Sequence, residues 1–377
     1  MIWFFGAIAV VAGGYQLFAI LAIVRHLMSR EIPSGFHPAV SILKPIRGLD
    51  PGFADAIRSH ATQNYPEFEI LFGVGDPGDP AVEEIERLQR DFPAIPIRLI
   101  VCLAREGAEP AANGKVGVLM QLQREARFPV LLVTDSDIVV PDGYLRRVVE
   151  PLADPGIGLV TCLYRAEADA LAARWEALGI ATDFAPSTLV APFVGVSEFG
   201  LGSTLAFRRE DLEAIGGFRA IADYIADDYQ IGCRIHALGR RNVISKVAVA
   251  TRMHGSGSAA SWKAVWEHQL RWARTVRVSR PGGYAGLPVT HASLWALLLA
   301  LCGQFWLAAI VLALRYAMAI ASGWFVLRSA DVFKLWFLIP FRDLWGTAVW
   351  ASGLFGSRVK WRGLTLKLTR DGRIVKN

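Results

Sequence analysis

Residues Ile2 to Val24 form an apolar run without a formal charge, and His291 to Leu327 form a second, interrupted only by Arg315. No other feature limits the possible folds as strongly. A helix of about 20 apolar residues matches the ~30 Å hydrocarbon core of a bilayer. The chain is 53% hydrophobic yet 20% charged, which describes membrane segments joined to a water-soluble body. The first run has no basic stretch before it and is longer than the apolar core of a cleaved leader, so it reads as an anchor. Arg25, His26 and Arg30 follow it, and the bias of basic residues toward the cytoplasmic side puts the body in the cytoplasm. The second run is long enough for a two-span hairpin. A third stretch, Leu335 to Phe355, carries Arg342-Asp343 at its middle, a pair that is costly in lipid. It reads as an interfacial helix or as a span whose charges face protein, and span parity favours the interfacial reading. The expected organisation is an anchor at 1–25, a soluble domain at 38–280, a membrane region at 286–356 and a basic cytoplasmic tail at 357–377.

Within the soluble body, apolar runs at Ala39–Leu43, Phe68–Val74, Ile97–Cys102, Val130–Thr134 and Leu159–Cys162 alternate with helical stretches at Ala54–Gln63, Val82–Phe92 and Lys115–Ala126. Such alternation predicts an α/β fold with a doubly wound, mostly parallel sheet. Ligands on these sheets sit at the carboxyl ends of the strands. The net charge of +6 comes without a block of Lys and Arg interleaved with aromatics, which argues against a nucleic-acid partner. Cys102, Cys162, Cys233 and Cys302 are dispersed, which argues against structural zinc and a disulfide framework.

The run "FPVLLVTDSDIVVP" ends a buried-looking strand in Asp135-Ser136-Asp137. In an extended chain the two carboxylates face the same way about 7 Å apart, and like charges that close need a positive partner. Mg²⁺ or Mn²⁺ suits such a pair, since these ions take few carboxylates and complete their shell with substrate phosphate oxygens. Three further polar features occur at strand ends: the loop "LKPIRGLD", Asp76, and Asn113-Gly114-Lys115, whose lysine suits a phosphate. Together they describe a nucleotide-diphosphate site. Gly73, Gly75 and Gly78 spell a G-x-G-x-x-G, but Asp76 and Asp79 would repel a pyrophosphate and Pro77 lacks an N–H, so a dinucleotide fingerprint fails on mechanism.

Downstream, "IADDYQIG" supplies Asp227 and Asp228. Adjacent carboxylates are not expected to share a face, so one of them is expected to reach the site, where it would deprotonate an attacking hydroxyl. The bland reading is an acidic pair favoured by a helix N-terminus. In "EHQLRWAR", Arg271 and Trp272 can hold a diphosphate and stack on a ligand. With Trp262 and Trp266 they can equally form a membrane-interface belt.

Taken in order, "DSD", "ADDY" and "HxxRW" resemble the glycosyltransferase-2 type with the GT-A fold. "LKPIRGLD", "GVGDPGDP" and "NGK" are similar to the ceramide glucosyltransferase family, and within it to a bacterial branch associated with hopanoid glycosylation. The resemblance extends to "VKWRG" at 359–363. It implies uridine binding at Asp76, nucleotide-sugar contact at Asp135, a divalent cation at Asp137 and the base at Asp228. Arg271 and Trp272 match the end of a Q/R-x-x-R-W motif, with His268 where Gln or Arg is usual. Gly202 and Ser203 resemble a Gly-Ser element near the acceptor in related synthases. His254 follows a strand and reads as a surface-loop residue or a diphosphate contact. The implied enzyme is an inverting glycosyltransferase of the inner membrane with a UDP-sugar donor and a lipid acceptor. A processive polysaccharide synthase, a glycoside hydrolase and a non-catalytic lipid carrier are the alternatives.

Overall fold

The computed structural model describes residues 2–29, 34–103, 111–253, 261–361 and 363–375; His254 lies outside them. Eight strands form the main sheet: β1 Val40–Ile46, β2 Phe68–Val74, β3 Ile97–Val101, β4 Val130–Val133, β5 Ile138–Val139, β6 Ile157–Glu167, β7 Leu205–Arg208 and β8 Arg241–Arg252. Their order is β3-β2-β1-β4-β7-β6-β8-β5. The β3-β2-β1-β4 half is parallel. β7 runs antiparallel to both neighbours, and β5 antiparallel to β8, which itself parallels β6. Helices Phe53–Ala61, Ala81–Asp91 and Gly114–Glu125 make the crossovers between the first four strands.

Strand alternation sends successive side chains to opposite layers. Ile42, Ile70, Phe72 and Leu132 pack with Phe53, Ile57 and Ile85 on one face. Leu43, Leu71, Leu131 and Val133 pack with Leu119, Leu122 and Ile235 on the other. Because both faces are covered, the strands read as continuous apolar runs. The order reverses between β1 and β4, so the loops after them diverge at a topological switch point. The first carries Arg47 to Asp50 and the second Asp135 to Asp137.

The N-terminal helix spans Ile2–Met28. Its segment Gly6–Met28 and the helix Phe305–Val326 are each long and apolar enough to cross a membrane. The expected two-span hairpin is modified. Its first arm is the ten-residue helix Ala292–Leu301, about 15 Å long and too short to cross alone. It reaches span length only together with Pro281–Thr290, from which it is bent by 50°. Gly303, at φ 78, turns the chain into the next helix.

The third apolar stretch forms the helix Ile339–Gly353, whose Arg342 and Asp343 are buried against protein. Arg315, 1% exposed, lies 2.7 Å from Asp343 and 2.6 Å from Asp183. Asp183 also pairs with Arg342 at 3.1 Å. Arg342 in turn donates to Gln269 Oε1 at 3.3 Å, as does the Trp345 indole at 2.7 Å. Asp183 sits in a wide π-type turn, Ile180–Phe184, and a Cβ on Gly179 would collide with the Arg342 guanidinium. This network joins the span at 305–320 to the helix Trp262–Ser279, which carries the R-W motif.

The basic tail is folded. β9 Arg358–Trp361, β10 Leu364–Leu368 and β11 Ile374–Val375 form a second, antiparallel sheet.

Removing one member of a buried ion pair costs about 3–5 kcal/mol by leaving the other charge uncompensated. Asp343→Ala is therefore expected to lower the melting temperature of the detergent-solubilised protein by several degrees, read by tryptophan fluorescence. An unchanged midpoint would remove the network from its structural role.

Candidate active site

Asp135 stands just beyond β4, at the switch point, with its side chain 40% exposed. Beneath it lies Lys44, which is fully buried and donates to the Asp135 main-chain carbonyl at 2.9 Å. Burial pushes the Lys44 pKa down to about 7, against the opposing pull of Asp137 and Asp135. Asp137 accepts a short hydrogen bond from the Thr251 hydroxyl on β8. Its pKa is raised by burial, by the charge of Asp135 and, more weakly, by Asp50. Asp50 in turn accepts from Ser136 Oγ at 2.5 Å. The loop therefore holds an excess of negative charge.

Lys115 opens the helix Gly114–Glu125. Asn113 caps that helix, with its Oδ1 accepting from the amides of Lys115 and Val116. The Lys115 ammonium lies 2.8 Å from Asp135 Oδ1 and 3.0 Å from Asp227 Oδ2. Burial alone would lower its pKa, but Asp135, Asp227 and Asp228 outweigh burial and keep it charged, well above the usual lysine range.

Asp227 and Asp228 begin the helix Asp227–Ala237. The expectation that only one of them reaches the site is corrected. Asp227 pairs with Lys115, while Asp228 accepts from the Gly202 amide at 2.9 Å and the Tyr229 amide at 2.7 Å. Position, not face, decides this. At a helix start the two side chains splay around the first turn, and Lys115 lies between them. Burial first, then Asp227, raises the Asp228 pKa to about 6, with Lys115 opposing. Gly202 closes this corner: a Cβ there would stand 3.0 Å from Asp135 Oδ2 and 3.4 Å from Asp228 Oδ2. The Ser203 hydroxyl is turned inward, donating to the Cys162 carbonyl at 2.8 Å.

Asp76 is exposed just beyond the end of β2, on the same carboxyl edge of the sheet and two strands from β4. It accepts from the Gly78 amide at 2.8 Å. On the helix Trp262–Ser279, His268, Arg271 and Trp272 share one side at i, i+3 and i+4. His268 Nδ1 donates to the buried Glu176 at 2.5 Å, and its ring lies 4.6 Å from that of Trp272. Trp272 meets Phe184 at 6.3 Å, and Phe184 meets Tyr164 at 5.4 Å. Burial first, then Glu176, Asp137, Asp135 and Asp228, push the Tyr164 phenol well up. Trp262 and Trp266 take another side, packing against Trp345 at 6.0 and 5.1 Å.

Among the described residues no group of three His, Cys, Asp or Glu side chains can hold a metal alone. The oxygen-only donors of Asp135 and Asp137 and their surplus charge fit a hard divalent ion that completes its shell with phosphate and water. Tyr164 carries no mark in the sequence, Lys44 appears there only within the loop "LKPIRGLD", and Asp227 only as the neighbour of Asp228. A lysine inside the apolar strand "SILKPI" was the available signal for Lys44.

An α/β sheet with carboxylates at its switch point, joined to helices long and apolar enough to cross a membrane, defines a class, and comparison with known proteins gives the family. It belongs to glycosyl transferase family 21, matching over residues 2–374. It is 30% identical to Ceramide glucosyltransferase 1 of Caenorhabditis elegans over 211 residues, 55% of this chain and 44% of that protein. It is 25% identical to the Beta-monoglucosyldiacylglycerol synthase of a Synechocystis strain over 254 residues, 66% of this chain and 48% of that one. The chain thus spans about half the length of the curated relatives it matches. In fold it is similar to a mannosyltransferase from Pyrobaculum calidifontis, solved with GDP-Man and Mn²⁺, at TM-score 0.55 and 21% identity over 93% of this chain and 97% of that one.

The bridging role of Lys115 is open to a double-mutant cycle. Lys115→Met leaves the buried Asp227 carboxylate uncompensated and is expected to cost about 3 kcal/mol. Adding Asp227→Asn should recover part of the lost melting temperature. Strictly additive losses would show that the two do not interact.

Proposed function

We propose that the chain is a membrane-anchored, inverting glycosyltransferase that moves glucose or N-acetylglucosamine from a UDP-sugar to the hydroxyl of a lipid, a ceramide or a hopanoid polyol. The body faces the cytoplasm at a bacterial-type inner membrane, since basic residues follow the first span. The observation that carries this reading is the corner where Asp135, Lys115, Asp227, Asp228 and Gly202 meet on the sheet's carboxyl edge, beside an aromatic row leading to the membrane helices. The names of the relatives, a ceramide glucosyltransferase and a glucosyldiacylglycerol synthase, support a lipid acceptor.

Asp76 receives the uridine and Asp135 the sugar, while Lys115 and Arg271 face the diphosphate. The acceptor enters past His268, Trp272 and the Gly202-Ser203 turn. Its hydroxyl oxygen attacks the anomeric carbon opposite the UDP, the bond to UDP breaks with its electron pair, and the proton passes to Asp228. The two main-chain amides fix that carboxylate, and its raised pKa makes it a better base near neutrality. A divalent cation, Mg²⁺ or Mn²⁺ held by Asp137 with Asp135 beside it, would supply positive charge to the departing diphosphate. The neighbour solved with Mn²⁺ supports this choice.

The test is transfer of label from UDP-glucose or UDP-N-acetylglucosamine, each offered with ceramide and with a hopanoid polyol. Label is expected in one lipid and is expected to be lost with EDTA. Polymer in place of lipid would move the reading to a processive synthase, and no transfer to either lipid would overturn it. Asp228→Asn should lower kcat at least a hundredfold with UDP still bound. Because the base works ionised, kcat/KM should be flat above about pH 6 and fall roughly tenfold per unit below it. A profile flat to pH 4.5 would take the role from Asp228.

A further inference from the structure

The folded tail lies against the segment that precedes the carboxylate pair. Ile374 donates its amide to the Asp223 carbonyl at 2.7 Å, and Ile225 donates to the Gly372 carbonyl at 3.1 Å. Tyr224 and Arg373 thereby pair as an antiparallel bridge, so the segment adds to the edge of the small sheet. The Arg373 guanidinium stacks 5.3 Å from the Tyr224 ring centre. Beneath, Ile225 is buried with Val359, Leu368 and Ile374. The other side of the same segment is tied to the lysine loop. Asn113 donates its amide to the Ala222 carbonyl at 2.9 Å and its side-chain amide to the Tyr224 carbonyl at 2.8 Å. Ala112 donates to Asp223 Oδ1 at 3.1 Å. Residues 222–226 are thus clamped between the cap of the Lys115 helix and the end of the chain, one residue before Asp227.

We infer that the C-terminal three-stranded sheet is a positioning element for the transferase site: its last strand holds residues 222–226 so that Asp227 meets Lys115 and Asp228 faces the acceptor. The residue at the cap position, Ala226, has no side chain that can accept from the first amides of this helix. The inference rests on the proposed role of Asp228, and it explains how a segment far off in sequence acts on that residue without touching substrate.

The test uses the full chain. Ile374→Pro removes the amide that reaches Asp223, and Ile374→Val keeps it. Ile374→Pro is expected to lower kcat at least tenfold, with KM for the UDP-sugar within threefold and the melting temperature within a few degrees. Ile374→Val should restore kcat to within twofold. Hydrogen–deuterium exchange is read in parallel: residues 222–230 should lose protection in Ile374→Pro. That readout needs no substrate, so it separates failure of this inference from failure of the transferase assignment, which would instead appear as inactivity of the wild type. Where Ile374→Pro does not fold, Arg373→Ala on an exposed residue replaces it, with an expected threefold loss of kcat and the same change in exchange. Wild-type kcat, or unchanged protection at 222–230, would overturn the inference.

Discussion

Four carboxylates, Asp135, Asp137, Asp227 and Asp228, are brought to one corner, and the site depends on the cations that make this tolerable. Lys115 stands between a strand end and a helix start, in reach of Asp135 and Asp227 at once. Lys44 lies below, gripping the Asp135 carbonyl from inside the sheet. Like charges gathered in a partly buried corner repel unless compensated. Lys115 balances Asp135 and Asp227, whereas Asp137, which accepts from the Thr251 hydroxyl, is left with a raised pKa. That charge is what the proposed hard cation, with a diphosphate attached, would complete.

The fold delivers these groups from distant parts of the chain. β1 and β4 lie side by side with opposite crossovers, so their loops open at the switch point. The lysine helix starts on the same edge. Asp227 and Asp228 arrive on a helix whose start is held by the lysine loop on one side and the C-terminal sheet on the other. The membrane segments connect through the Arg315–Asp343–Asp183–Arg342 network to Gln269, on the helix of His268, Arg271 and Trp272. The carboxylate corner and the apolar helices are thus parts of one packed structure.

Much of this is legible in the sequence because it is local. Continuous apolar runs mark strands covered on both faces, and Asp135 at the end of such a run announces a switch-point ligand. What escapes is set by long-range pairing. Nothing near Asp227 announces its partnership with Lys115, more than a hundred residues earlier. Arg342 and Asp343 leave an interfacial helix and a protein-facing span both open, and do not show that Arg315 and Asp183 meet them. Hydropathy sees His291 to Leu327 as one run, although Gly303 breaks it into a short and a long helix. Lysines and arginines in 357–377 suggest a solvated tail, while its alternating Val359, Leu366 and Leu368 supply the apolar side of a small sheet.

The most direct measurement is calorimetric titration of UDP into the purified chain, with and without Mn²⁺ or Mg²⁺. If a cation and a diphosphate together complete the carboxylate corner, the ion should tighten UDP binding at least tenfold, and Asp137→Asn should abolish that gain. Equal affinity with and without the ion, in a protein whose Asp137→Asn variant binds UDP as well as the wild type, would contradict the account.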